Sequence, residues 1–157
     1  MSNFQRLGLL IATVWVGGLW TVGYLVAPTL FATLADRALA GTIAGSVFRV
    51  EAWVSLVCAV SLLLLLRRVP AIFPSSVLAG RWSPFRLVFA MALCTLVGYF
   101  GLQPFMATIR EAAAGREMAG DERLYFGLLH GAASLIYLLQ SLLGAVLVLK
   151  LRCAPTR

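Results

Sequence analysis

Few side chains in this sequence can do chemistry, and the sharpest of them is His130, the only histidine in 157 residues. Imidazole binds divalent metals and exchanges protons near neutral pH. Glu51 offers the complementary carboxylate, and the pair is the candidate metal-ligating set. Arg49 and Gln103 are expected at a comparable depth, so four polar residues from three helices would converge on one site that opens away from the cytoplasm. Ser134, Tyr137 and Ser141 follow His130 at spacings of four, three and four, within about 60° of one another at 100° per residue, and extend the polar cluster. A plainer arrangement competes with this one. In it, Glu51 pairs with Arg49 or Arg110 and His130 hydrogen-bonds Tyr24 or a serine, as polar residues that merely join helices do.

Catalysis has little to stand on. The sequence holds no H-E-x-x-H, no G-x-S-x-G and no glycine-rich phosphate loop after a strand. Ser134 lies one helical turn from His130 without a third, orienting acid, so the chain is not expected to be an enzyme. Bis-histidine haem ligation needs a second histidine, and Met91, Met106 and Met118 have no evident partner geometry. No cofactor is expected. Cys58 and Cys94 sit inside apolar runs and Cys153 in a basic tail, with no paired spacing, so no disulfide is expected either.

The elements that must position these residues are membrane helices. The composition is 61% hydrophobic and 12% charged with a mean hydropathy of +0.93, and soluble domains carry about twice that share of charge. One single transmembrane domain over residues 1–157 is expected, an all-α integral membrane four-helix bundle with spans at about 7–34, 47–66, 87–109 and 124–149. A bilayer crossing needs about 20 apolar residues. The first run exceeds that by enough to be a retained helix rather than a signal peptide. Pro28 is expected to kink its outer part or start a fresh turn, and Asp36 to cap a following stretch from Arg37 to Phe48. Pro70, Pro74, Gly80 and Pro84 mark a loop, where Trp82 can anchor at headgroup level, and Gly120 is expected in a turn after a short helical extension. These extensions are expected on the periplasmic side.

Charge sets the orientation. Eight of the thirteen basic residues fall in the N-terminus, middle loop and C-terminus, and all six acids fall on the opposite side. The positive-inside rule then places both termini in the cytoplasm of a bacterial inner membrane. The net charge of +7 is distributed as orientation signals at span ends, which excludes a nucleic-acid-binding surface. The expected partner is the lipid bilayer, with a homo-oligomer or an unidentified membrane protein as a further one. Helices associate in lipid through small residues and hydrogen bonds. The expected packing positions are therefore Gly17, Thr21 and Pro28 (with Thr13 and Tyr24 on the same face), Gly98 and Gly101, and Gly127 and Gly131.

Several segments carry a family resemblance: Trp15-Val-Gly-Gly-Leu-Trp20, Val26-Ala-Pro-Thr-Leu-Phe31, Ala40-Gly-Thr-Ile-Ala-Gly-Ser-Val-Phe48, Gln103-Pro104 and Leu129-His-Gly-Ala-Ala-Ser134. Together they resemble the bacterial branch of the family related to eukaryotic transmembrane protein 205. The resemblance implies a four-helix membrane fold without an established biochemical activity. Its eukaryotic relatives are associated with resistance to platinum drugs, which points to metal or drug handling, or transport. A redox membrane subunit that binds a cofactor or metal is the alternative.

Overall fold

A computed structural model describes residues 3–68, 83–113, 116 and 118–152. Their architecture is all-helical: α1 (Asn3–Thr33), α2 (Arg37–Arg68), α3 (Pro84–Ala112) and α4 (Gly120–Arg152). Each is long and apolar enough to cross a membrane. At 1.5 Å per residue, about 30 residues span roughly 45 Å, which exceeds the ~30 Å hydrocarbon core and leaves room for ends in the headgroup layers. Each helix packs against two neighbours in a ring, α1 against α2 and α4, and α3 against α2 and α4.

Local signals explain the boundaries. Asp36 Oδ1 accepts from the backbone N–H groups of Ala38 and Leu39 at 2.8 and 3.2 Å, which caps α2 as its position suggests. The stretch from Arg37 to Phe48 then continues into the second apolar run as one helix. Ser83 caps α3, and Pro84 occupies its first turn rather than a loop, because the missing N–H of a proline costs nothing there. Gly120 likewise opens α4 instead of forming a turn, and acidic Asp121 and Glu122 favour that end of the helix dipole. Pro70, Pro74, Gly80, Trp82 and Cys153 lie outside the described residues.

The apolar core occupies one end of the bundle, where α1 and α3 begin and α2 and α4 finish. Trp15, Val16, Leu62, Leu66, Val88, Met91, Leu147 and Leu151 meet there. Gly144 is the close-approach point: a Cβ on it would stand 2.8 Å from Val16 Cγ2 and 3.2 Å from Met91 Cε. Outside this cluster, large apolar side chains such as Leu25, Val57, Phe105 and Leu135 face outward, a surface that only lipid or another apolar partner accommodates.

α1 and α3 are each interrupted once, in corresponding places. A π-helical turn runs from Thr21 to Val26 in α1 and from Leu96 to Leu102 in α3. Each ends two residues before a proline, Pro28 and Pro104. Proline cannot donate to the helical ladder and its ring crowds the carbonyl four residues back, so the turn widens upstream. Both wide turns carry the same tripeptide, Val22-Gly23-Tyr24 and Val97-Gly98-Tyr99.

Candidate functional site

Among the described residues Glu51 is the one acidic side chain that the fold carries into the middle of a helix rather than to an end. It stands sixteen residues from Arg67 on α2, about 24 Å along the helix axis, within the thickness of a hydrocarbon core. Its carboxylate Oε1 accepts from Ser55 Oγ at 2.5 Å, one turn along the same helix. Ser55 is fully buried and its Oγ in turn accepts from Trp15 Nε1 of α1 at 2.7 Å. The result is a directed chain, indole to hydroxyl to carboxylate, across the α1–α2 seam. A hydroxyl has one proton, so this order uses it fully: Ser55 takes one bond and gives one.

Beside this chain α4 inserts Tyr137. Its hydroxyl donates to the Leu19 carbonyl of α1 at 2.6 Å and also reaches the Gly23 backbone. A side chain lodged there takes the place of the ordinary bond from residue 23 back to residue 19, which is a second physical cause for the wide turn that starts at Thr21. Gly23 is required by the approach, since a Cβ would overlap the Tyr137 ring. Tyr24 and Phe48 meet the same ring edge-on, with centroids 6.2 and 5.6 Å away. Tyr24 also donates to Ser141 Oγ at 3.0 Å. Glu51 lies close enough to this phenol to interact with it electrostatically. Nearer the apolar core, Gln140 of α4 donates to Thr95 of α3 at 3.0 Å, both buried.

The polar residues expected at one site divide between two seams. Glu51, Tyr137 and Ser141 belong to the α1–α2–α4 side described above. Arg49 instead donates from Nε to Tyr99 OH at 3.2 Å, on the α2–α3 seam, and Gln103 lies against Gly45 on that seam, its Nε2 3.4 Å from where a Cβ would be. His130 is exposed, stacked on Phe126 with centroids 6.1 Å apart, and its carbonyl accepts from Ser134 Oγ at 2.8 Å. His130 is seven residues from Tyr137 on α4, about 10 Å along the axis. Among the described residues no hydrogen bond or ion pair joins it to Glu51, and no group of three or more His, Cys, Asp or Glu side chains gathers as a metal site. The plainer pairings are not formed either: Glu51 bonds to Ser55, and Arg110 to the Gly41 carbonyl. Cys58 and Cys94 are free thiols.

The expected packing glycines are largely not the packing glycines. A Cβ at Gly17, Gly127 or Gly131 would meet nothing within 4 Å, and one at Gly101 only its own helix. Gly98 alone of the set meets another helix, at 3.5 Å from Ile136 Cγ2. On α1, Gly17, Thr21 and Pro28 face outward, while Ala12, Trp15, Val16 and Leu19 are buried. The physical reason is that Trp15 and Leu19 bury far more apolar surface than the small face can. Thr13, on the same outward face, satisfies its hydroxyl on its own Leu9 carbonyl at 2.8 Å and needs no neighbouring helix.

Fold and site together define a class: a small protein of four membrane-length helices, two of them broken at matching points, with a half-buried carboxyl partway along a third. Residues 10–115, more than half of the chain, match the family described as Domain of unknown function (DUF4149), and the chain belongs to that family. No curated protein and no solved structure matches it.

Proposed function

We propose that the chain is a non-enzymatic multi-pass protein of a bacterial inner membrane that passes a small cation, a proton or a divalent metal, through its bundle by way of Glu51. The observation that carries this reading is the Trp15–Ser55–Glu51 chain: a carboxyl that accepts from a neutral hydroxyl of its own helix, itself bonded to Trp15 of α1, with no cationic side chain bonded to it among the described residues. An ionisable group at such depth is costly and is characteristically functional. A passing ligand would engage its second oxygen. The paired interruptions of α1 and α3 support the same reading, because transporters built from two similar halves place their sites where helices are broken in both. His130 sits about two turns further along α4 and serves as the outer metal ligand in this scheme. The charge distribution supports a cytoplasmic position for both termini. The resemblance to the family related to eukaryotic transmembrane protein 205, with its link to platinum drugs, agrees with metal handling.

Reconstitution tests this directly. In liposomes with an entrapped pH dye or zinc dye, the wild type dissipates an imposed gradient of one of the two cations. Glu51→Gln abolishes that flux with insertion intact, and His130→Ala lowers zinc flux alone. Wild-type flux from Glu51→Gln, or no flux of either cation from the wild type, refutes the proposal. A Soret band, or a stoichiometric metal that changes oxidation state, in the purified protein would point instead to a redox subunit.

A further inference from the structure

A second polar group, separate from Glu51, lies where α2 and α3 meet toward the end of the bundle away from the apolar core. Gly41 and Gly45 of α2, one turn apart, form a seat for two side chains of α3. A Cβ on Gly41 would stand 3.6 Å from Arg110 Nη1, and one on Gly45 3.7 Å from Arg110 Nη1 and 3.4 Å from Gln103 Nε2. Arg110 Nη1 donates to the Gly41 carbonyl at 2.8 Å. Its guanidinium carbon lies 5.8 Å from the centre of the Phe126 ring of α4, so aromatic surface covers one side and the group is held in place. Arg49, the next turn of the same α2 stripe, holds Tyr99 OH.

Among the described residues no carboxylate is hydrogen-bonded or ion-paired to either guanidinium group. Among the described residues the ion pair is Arg116 with Glu122, Asp36 caps α2, and Glu51 bonds to Ser55. Glu111, next to Arg110 in sequence, is exposed and forms no bond to it. Arg110 Nε is enclosed with no hydrogen-bond partner, the one such side-chain atom among the described residues. A buried donor without a partner marks either strain or a ligand not yet in place, and a guanidinium fork is shaped for a tetrahedral oxyanion.

We propose that this seam binds a phosphate oxyanion, clamped by Arg110 and Arg49 with the Gln103 amide as a third donor. Gly41 and Gly45 hold the α2 backbone close to the guanidinium and carboxamide, at distances where an added Cβ would make ordinary contact with both. The phosphate comes either from an anionic phospholipid headgroup or from a free phosphate in solution, and the two sources share this recognition chemistry. The site does not depend on Glu51 or on cation flux.

The test uses the full chain, delipidated in uncharged detergent, with native mass spectrometry and thermal melting as readouts. Three additions are compared: phosphatidylglycerol, phosphatidylcholine with the same acyl chains, and inorganic phosphate. The expected result is retention of phosphatidylglycerol or protection by phosphate, lost as salt rises, and about tenfold weaker in Arg110→Gln. Arg49→Gln weakens it in the same direction, and Arg116→Gln, outside the seam, leaves it unchanged. Protection by phosphate alone identifies a soluble source, and retention of phosphatidylglycerol without a phosphate effect identifies a headgroup. If Arg110→Gln does not fold, Arg49→Gln and Gln103→Leu decide. Equal behaviour toward both lipids with no phosphate effect, or wild-type retention by these variants, overturns the proposal.

Discussion

A single methyl group added at Gly23 tests how α4 is fitted to α1. The new Cβ would stand 2.8 Å from Tyr137 Cζ and 3.0 Å from its oxygen, with Cε1 nearer still. The ring has little freedom to step aside, because its hydroxyl is bonded to Leu19 O at 2.6 Å and the Tyr24 and Phe48 rings pack edge-to-face with it. Overpacking a fitted contact costs about 1–3 kcal/mol. Glycine to alanine in an unhindered helix interior gains about 0.5–1 kcal/mol. Gly23→Ala should therefore destabilise by roughly 1–2 kcal/mol, whereas Gly17→Ala and Gly127→Ala, with nothing within 4 Å of the new atom, should be neutral or slightly stabilising. Unfolding by dodecyl sulfate in mixed micelles, followed through the four tryptophans, measures the difference. In a Tyr137→Ala background the obstruction is gone, so Gly23→Ala should become neutral or favourable, a coupling of at least about 1 kcal/mol. The same loss in both backgrounds, or a Gly17→Ala as damaging as Gly23→Ala, would show that the wedge does not exist.

Two further outcomes follow from the hydrogen-bonded interior. Ser55→Ala leaves the Trp15 indole N–H and the Glu51 oxygen without their partner and should cost about 1–3 kcal/mol, more than Ser61→Ala, whose hydroxyl serves only its own helix at Val57 O; equal losses in the same titration would argue against the chain. Thr95→Val orphans the buried Gln140 amide, and Gln140→Leu removes a donor from Thr95, whose hydroxyl keeps its bond to Met91 O, so the double variant should be more stable than the sum of the singles, by about 0.6 kcal/mol if it follows other membrane bundles; strict additivity would mean the bond contributes nothing.

The helices were legible because length and hydropathy alone demand them. Nothing but a helix satisfies the backbone of a twenty-residue apolar run in lipid. Their ends were less so. The small-residue stretch from Arg37 to Phe48 reads as a separate piece, yet the Asp36 cap starts a helix there that has no reason to stop before Arg68. Contact faces were hidden for a different reason. A stripe of Gly and Thr on α1 has the spacing of an interface, but which face turns inward is decided by Trp15 and Leu19 finding Ser55, Tyr137 and the apolar core on other helices. Those are separations of 40 and 118 residues, beyond the reach of local periodicity. Part of the site was visible in principle: Glu51 and Ser55 are one turn apart, the spacing of a helical side-chain pair, and the Val-Gly-Tyr tripeptide appears twice, each time just ahead of a proline.

That repeat gives the arrangement of the two polar seams a common origin in geometry. Taking α1 with α2 as one half and α3 with α4 as the other, the halves meet along α1–α4 and α2–α3. Tyr24 bonds across the first boundary to Ser141, and Tyr99 accepts across the second from Arg49. The glycines of the same tripeptides face consecutive residues of α4: Gly23 meets Tyr137 and Gly98 meets Ile136. The scaffold thus treats its halves alike while their polar cargo differs, a carboxyl on one side and guanidinium groups on the other. Opposite charges held on separate seams cannot neutralise one another directly, and in a medium of low dielectric each then requires its own counter-ion. The cation proposed at Glu51 and the oxyanion proposed at Arg110 would then be two answers to one constraint, imposed by helices that carry opposite charges on separate seams.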